Sequence, residues 1–324
     1  RASSIWIRLS ASPPATLNVF EERVQHILGG VRTIVGAALA ATAADSISVT
    51  ANAFNPQDLV PVYEASVPAS NPRTQWVHVD TETAGTPNVY GTSPDFEATP
   101  TTGAVARASR AFEFNATGGG ATDAYHYVDD DGSFTFLGCR ITAASIEEDP
   151  QQRAMLVVTV AYDRRVVGTK ASLPDVGEGP AVPAIIGAGA AVYWNGELVE
   201  TKSVRVDFQI EASAQMSRTG ANGRAGHRVN KVVPVVTLDP LSDDDYNAAM
   251  GAATQGALLL QFGAGILSGT VLNTCCLYLP VAQIFEVGPT DDSGYKRHSL
   301  KVQMVDDAVF SAGVARRAFQ FSVA

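Results

Sequence analysis

The sequence predicts a mainly β protein with few helices: a sandwich or barrel with an α-helix packed against it, built by internal duplication. Three observations carry this expectation. Short apolar runs bounded by Gly, Pro and Asn recur along the 324 residues, several with alternating faces. Asn195-Gly196 stands between two such runs, and that pair is favoured in the type I′ turn of a tight hairpin. The order strand, helix, strand, strand pair can be read twice.

In the first reading, Ile5 to Leu9 is a short strand and Pro13-Pro14 breaks it. A helix is expected from about Asn18, because Phe20, Val24, Ile27, Val31, Ile34 and Ala38 recur at three- and four-residue steps. Glu21 and Glu22 sit near its start, where the helix dipole favours them. Gly29-Gly30 weakens the middle, so the helix ends or bends there. The next strand is Ile47 to Val49. Residues 55–125 are dense in Pro, Gly, Thr, Ser and Asn and are expected to form long loops and hairpins inserted into the first module. Two strands stand out in them, Gln75 to Val79 and Ala111 to Asn115. The strand pair Phe134 to Ile146 and Met155 to Tyr162 closes this half.

Residues 168–187 hold Pro174, Pro180 and Pro183 with no apolar periodicity, which makes them the expected linker between a first module (1–167) and a second (188–324). The second opens with the hairpin Ala191 to Val199. A strand follows, with Val204, Val206, Phe208 and Ile210 on one face. Residues 217–231 are the basic run of an acidic chain, with Arg218, Arg224, Arg228 and Lys231. They are expected to form a Gly-rich loop that a neighbouring subunit orders. Its acidic counterparts would be the turns Glu147-Glu148-Asp149 and Asp291-Asp292. Then come a strand (Val232 to Leu238), a helix with Ser242 as N-cap and Asp243, Asp244 and Asp245 in its first turn, a strand (Leu258 to Phe262) and a strand pair ending at Ser299 to Val305. Ile141 to Ile146 occupies the place in the first half that Leu279 to Ile284 occupies in the second.

Net charge is −10, which gives no electrostatic footprint for gripping phosphates. Only 17% of residues are charged, as suits a chain that buries surface in an assembly. Cys139, Cys275 and Cys276 make neither a metal spacing nor an even disulfide framework. Cys275 and Cys276, adjacent on a strand, should point to opposite faces. His26, His78, His126, His227 and His298 are isolated and make no zinc motif. Gly187-Ala188-Gly189 lacks the rest of a dinucleotide loop, and the serine of Gly265 to Gly269 is one place off a nucleophile elbow. Asp129-Asp130-Asp131-Gly132 lacks the spacing of a calcium loop. No enzyme activity, cofactor or metal is expected. The longest apolar stretch, Ile27 to Ala44, is interrupted by Arg32 and falls short of a membrane span.

From about Phe134 onward the chain resembles the tail tube proteins of long-tailed bacteriophages. Phe136-Leu137-Gly138-Cys139-Arg140-Ile141 is similar to that family's aromatic, Gly-Cys-basic strand. Val192 to Val199, leading into Ser203 to Ile210, resembles its hairpin and the strand before a long loop. Arg218 to Val229 falls where the family carries a Gly-containing basic loop, and Val236 to Asp239 resembles its strand entering a helix. The resemblance implies a virion tail protein, assembled in the host cytoplasm into stacked rings of six modules around a channel. Three two-module chains would close such a ring, or six chains if each supplies one module. Expected partners are further copies, other tail proteins and viral DNA passing without sequence-specific binding, with no membrane. Another virion β-module (tail terminator, baseplate or head decoration protein) is the alternative, and a carbohydrate-binding β-sandwich a more distant one.

Overall fold

The computed structural model describes residues 3–8, 19–50, 53–65, 73–101, 103–114, 123–128, 133–148, 154–168, 185, 190–216, 218, 224–240, 246–264, 272–292, 295–305 and 319–324. The described residues are mainly β, in several antiparallel sheets with two helices. Fifteen strands join in one sheet. Its main path runs Ser3–Arg8, Met155–Ala161, Ser133–Glu148, Thr201–Asp207, Val235–Pro240, Tyr295–Met304, Cys275–Asp292, Gln255–Phe262, Ala191–Trp194 and Glu197–Leu198. A branch leaves Cys275–Asp292 through Gln320–Val323 to Ser109–Phe114 and Gly29–Ile34.

One order of elements occurs twice. Ser3–Arg8, the helix Val19–Leu28, Gly29–Ile34, the long Ser133–Glu148 and Met155–Ala161 occur in this order in the first half, with nine further strands between Gly29–Ile34 and Ser133–Glu148. Val235–Pro240, the helix Tyr246–Gly251, Gln255–Phe262, the long Cys275–Asp292 and Tyr295–Met304 follow in the second. In each half the first strand pairs antiparallel with the last, and the last with the long one. The halves differ at the strand after the helix. Gln255–Phe262 pairs with its long strand, whereas Gly29–Ile34 pairs with Ser109–Phe114.

That strand corrects the sequence reading. The expected helix holds Phe20, Val24 and Ile27, all buried, and ends at Leu28, at the Gly29-Gly30 break the sequence marks, while Val31, Ile34 and Ala38 of its stripe fall in strands. Two consecutive glycines each cost about 1 kcal/mol in a helix relative to Ala. The residues beyond them, Val31, Thr33, Ile34 and Val35, are β-branched and favour a strand. Ile47 lies in Ser46–Val49, which belongs to a different sheet from the one anticipated. The expected strand Val204 to Ile210 divides at Gln209, where φ is +31°. The linker at 168–187 and the Ser242 cap with its three aspartates lie outside the described residues, apart from residues 168 and 185.

The main sheet and the first helix surround one core. Phe20 of the helix and Phe208 meet Phe321 of Gln320–Val323 edge-on, at centroid distances of 6.1 and 6.4 Å. Ile146, Leu156, Val206, Val236, Leu260, Leu277 and Val302 fill the same core, so both halves contribute to it. In the first turn of the helix, buried Glu21 accepts a hydrogen bond from Arg110 Nη1 at 2.7 Å, an ion pair 1% and 6% exposed.

The segment expected to form long loops and hairpins holds antiparallel hairpins joined into a regular sheet. Between residues 37 and 106 lies a seven-stranded sheet in the order Ala37–Ala38, Val105–Ala106, Leu59–Glu64, Arg73–Thr83, Asn88–Ser93, Ser46–Val49 and Ala41–Thr42. It has its own core, including Ile47, Val60, Val77, Val79 and Tyr90. Leu59–Glu64 is buried on both faces and so lacks alternation, and Pro61 at its middle argues against a central strand in sequence. Its other face seals against the main sheet through Trp76, Tyr193, Leu259, Cys276 and Tyr278. Gln261 stitches this seam: its Oε1 accepts from Trp76 N at 3.0 Å, and its Nε2 donates to Thr74 O at 3.1 Å. Trp76 Nε1 donates to Thr274 Oγ1 at 3.1 Å, and His78 stacks on Tyr278 at 4.3 Å.

Candidate assembly surfaces

Two ribbons leave the main sheet. The first pairs Ile210–Met216 with Arg224–Val232, in register from Ile210↔Val232 to Met216↔Arg224, as a two-stranded sheet of its own. Seven residues of strand span about 23 Å. Val229 and Val232 anchor its root in the core at 1% and 3% exposure, while Met216 at the far end is 76% exposed. A cleft of about 450 Å³ lies at the root, lined by Thr142, Asp207, Gln209, Glu211, Lys231 and Gln303 among others. The second ribbon continues the strand pair of the second half, from Gly288↔Ser299 to Asp292↔Tyr295. Tyr246 of the second helix meets His298 at its base, with centroids 5.8 Å apart.

The basic run is therefore strand over much of its length, not a Gly-rich loop. Pairing with the alternating partner Ile210–Met216 supplies order that Gly226 and Asn230 do not encode locally. Arg218 is exposed in a bend beyond Met216. Arg224 and Arg228 occupy register positions opposite Met216 and Ser213. Lys231 is exposed opposite Glu211, an opposite-charge pair across the ribbon. On the acidic side, Asp291 and Asp292 end the long strand, opposite Lys296 and Tyr295.

The first acidic group is not a uniform patch. Glu147 faces outward and meets Arg205 at 3.1 Å, with 38% and 57% exposure. Glu148 faces the core at 6% exposure and offers no surface charge. Strand alternation is the cause, since Ala144, Ile146 and Glu148 share one face and all are buried. Burial pushes the Glu148 carboxyl up to about 8. Asp149 lies outside the described residues.

The cysteines follow their expected placement. Cys275 belongs to the main core and Cys276 to the seam, on opposite faces of one strand, and each is fully buried. Burial pushes both thiols well up; for Cys275, Glu148 adds to it. Tyr193 is likewise raised by burial, then by its 2.6 Å hydrogen bond to Glu97 Oε1. Among the described residues no group of three His, Cys, Asp or Glu side chains is placed to hold a metal ion. Among them no helix is long and apolar enough to cross a membrane.

No family model matches this chain, and no curated protein matches it either.

Proposed function

We propose that this chain is the structural subunit of a bacteriophage tail tube, polymerising as stacked rings around a channel for DNA. The observation that supports the reading most is the repeated order of strand, helix, strand and long strand pair, with the two halves joined edge to edge through Ser145–Glu148 and Val204–Asp207. A unit that continues its neighbour's sheet is suited to ring building, and head-to-tail contacts close into rings or run on as filaments. On this reading the two halves arose by duplication and three chains close a ring of six. On this reading Arg218, Arg224, Arg228 and Lys231 of the first ribbon meet the carboxylates of Asp291 and Asp292 in the next ring, which share their own ribbon with Lys296 and Arg297. The net charge of −10 suits a channel wall that offers DNA no fixed cation sites.

Electron microscopy of the purified protein and of intact particles tests the proposal. Tubes with a regular axial repeat are expected, with threefold symmetry around the axis. Sixfold symmetry would refute the three-chain ring but leave the tube standing. End rings or isolated knobs would identify a different virion part, and protein that stays monomeric at high concentration would sink the structural reading.

A further inference from the structure

Glu148 ends its long strand where that strand meets Thr201–Asp207, the pairing that carries the main path of the sheet from the first half into the second. The pairing is only four residues long, Ser145↔Asp207 to Glu148↔Val204, and Phe208 N extends it by donating to Ala144 O at 2.9 Å. Val204 and Glu148 are each 6% exposed, and Glu148 Oε1 is sealed from solvent with no hydrogen-bond partner. A charge left there without a partner costs several kcal/mol, so the neutral acid is the form the core accepts.

The surroundings do not relieve that cost. Across the core stands the fully buried Cys275 thiol, itself raised by burial and by Glu148. Leu156 and Ala154, from the neighbouring strand and its approach, are fully buried and apolar. Glu147 and Arg205, the next residues along their strands, pair with each other at 3.1 Å and are well exposed. Lys202 is exposed, and Asp239 accepts a hydrogen bond from Ser203 Oγ at 3.1 Å.

We propose that Glu148 is a proton-operated latch between the two halves. Neutral, it stays in the core and the four-residue pairing is shut; ionised, it must leave the core, and the pairing opens. The sign follows from the direction of the shift. The closed-state carboxyl sits at about 8 against an ordinary 4.5, so its contribution is complete below 4.5 and is lost as pH rises through 8. This opening is intrinsic to one chain and does not depend on assembly.

Hydrogen exchange on the full chain, wild type and Glu148→Gln, between pH 5 and 9 is the test. In the wild type, protection of the Ser145–Glu148 and Val204–Asp207 amides, corrected for intrinsic exchange, should fall by roughly tenfold per pH unit up to about 8 and then level off. In Glu148→Gln it should stay flat, and amides of Val77 and Val79 in the other sheet should hold in both proteins. Parallel curves for wild type and variant overturn the latch. So does loss at Val77 and Val79 in step with the junction, which would mark general loosening. If the variant does not fold, carbon NMR of the wild-type Glu148 carboxyl decides: a midpoint near 8 supports the latch, and one near 4.5 overturns it.

Discussion

The buried pair between Glu21 and Arg110 gives a quantitative test of how the first helix is held. The two side chains are 1% and 6% exposed and meet at 2.7 Å. With an effective dielectric of about 20, opposite charges at that separation attract by about 6 kcal/mol. Desolvating both ions costs several kcal/mol apiece, so the net worth of the pair is near zero. Removing one partner is another matter, because the remaining charge keeps its desolvation cost and loses its attraction. Arg110→Met should therefore destabilise the protein by about 3–5 kcal/mol. The double variant Glu21→Leu/Arg110→Met, apolar and similar in volume, should be more stable than Arg110→Met alone. Urea denaturation of the wild type, both single variants and the double variant completes the cycle. A cost below about 1 kcal/mol for Arg110→Met, or strictly additive single costs, would refute the reasoning.

Other outcomes follow from the same geometry. Cys139, Cys275 and Cys276 are buried, so a thiol reagent at pH 8 should label none of them quickly in the native protein and all three in denaturant. A Cβ on Gly256 would collide with Asn195 Oδ1, which accepts the Ala257 N–H at 2.9 Å. Gly256→Ala should therefore cost about 1–3 kcal/mol by thermal melting, and adding Asn195→Gly should return part of it. Replacing Arg218, Arg224 and Arg228 together by serine should leave the subunit folded, with a melting temperature close to wild type, since the ribbon is a two-stranded sheet of its own outside the main sheet. On the proposed tube reading it should also slow tube growth in a turbidity or microscopy assay; normal growth across a range of salt would make the ribbon's charges passive.

How much of this was legible depends on whether the information is local. Phe134 to Ile146 is strand along its whole length, as the sequence reading has it. Asn195 and Gly196 take φ of +52° and +87°, which their turn requires and which the pair itself announces. The two glycines mark where the first helix ends, but the strand Gly29–Ile34 was hidden because its apolar residues keep the helical step of Phe20 and Val24 beyond them, and only their β-branching points to a strand. The seven-stranded sheet was hidden because strands buried on both faces carry no alternation, and its short edge strands owe their form to partners remote in sequence. Arg224–Val232 is ordered by its partner strand, which no local pattern discloses. Glu148 was readable in part: counting by twos from Ala144 and Ile146 puts it on the core face, while its type argued for solvent.

The strand Gln320–Val323 has a consequence for how the molecule is made. It sits between Arg110–Phe112 on one side and Cys275–Tyr278 on the other, and all four of its residues are buried. Its partner Arg110 precedes Val323 by 213 positions (323 − 110). During synthesis both flanking edges emerge from the ribosome well before the strand that fills the gap between them. Until it arrives, each nascent chain presents a vacant slot of fixed register, which the equivalent strand of another molecule fits equally well. Crowded refolding should therefore yield dimers that exchange this strand, and slow dilution should favour chains that each close on their own.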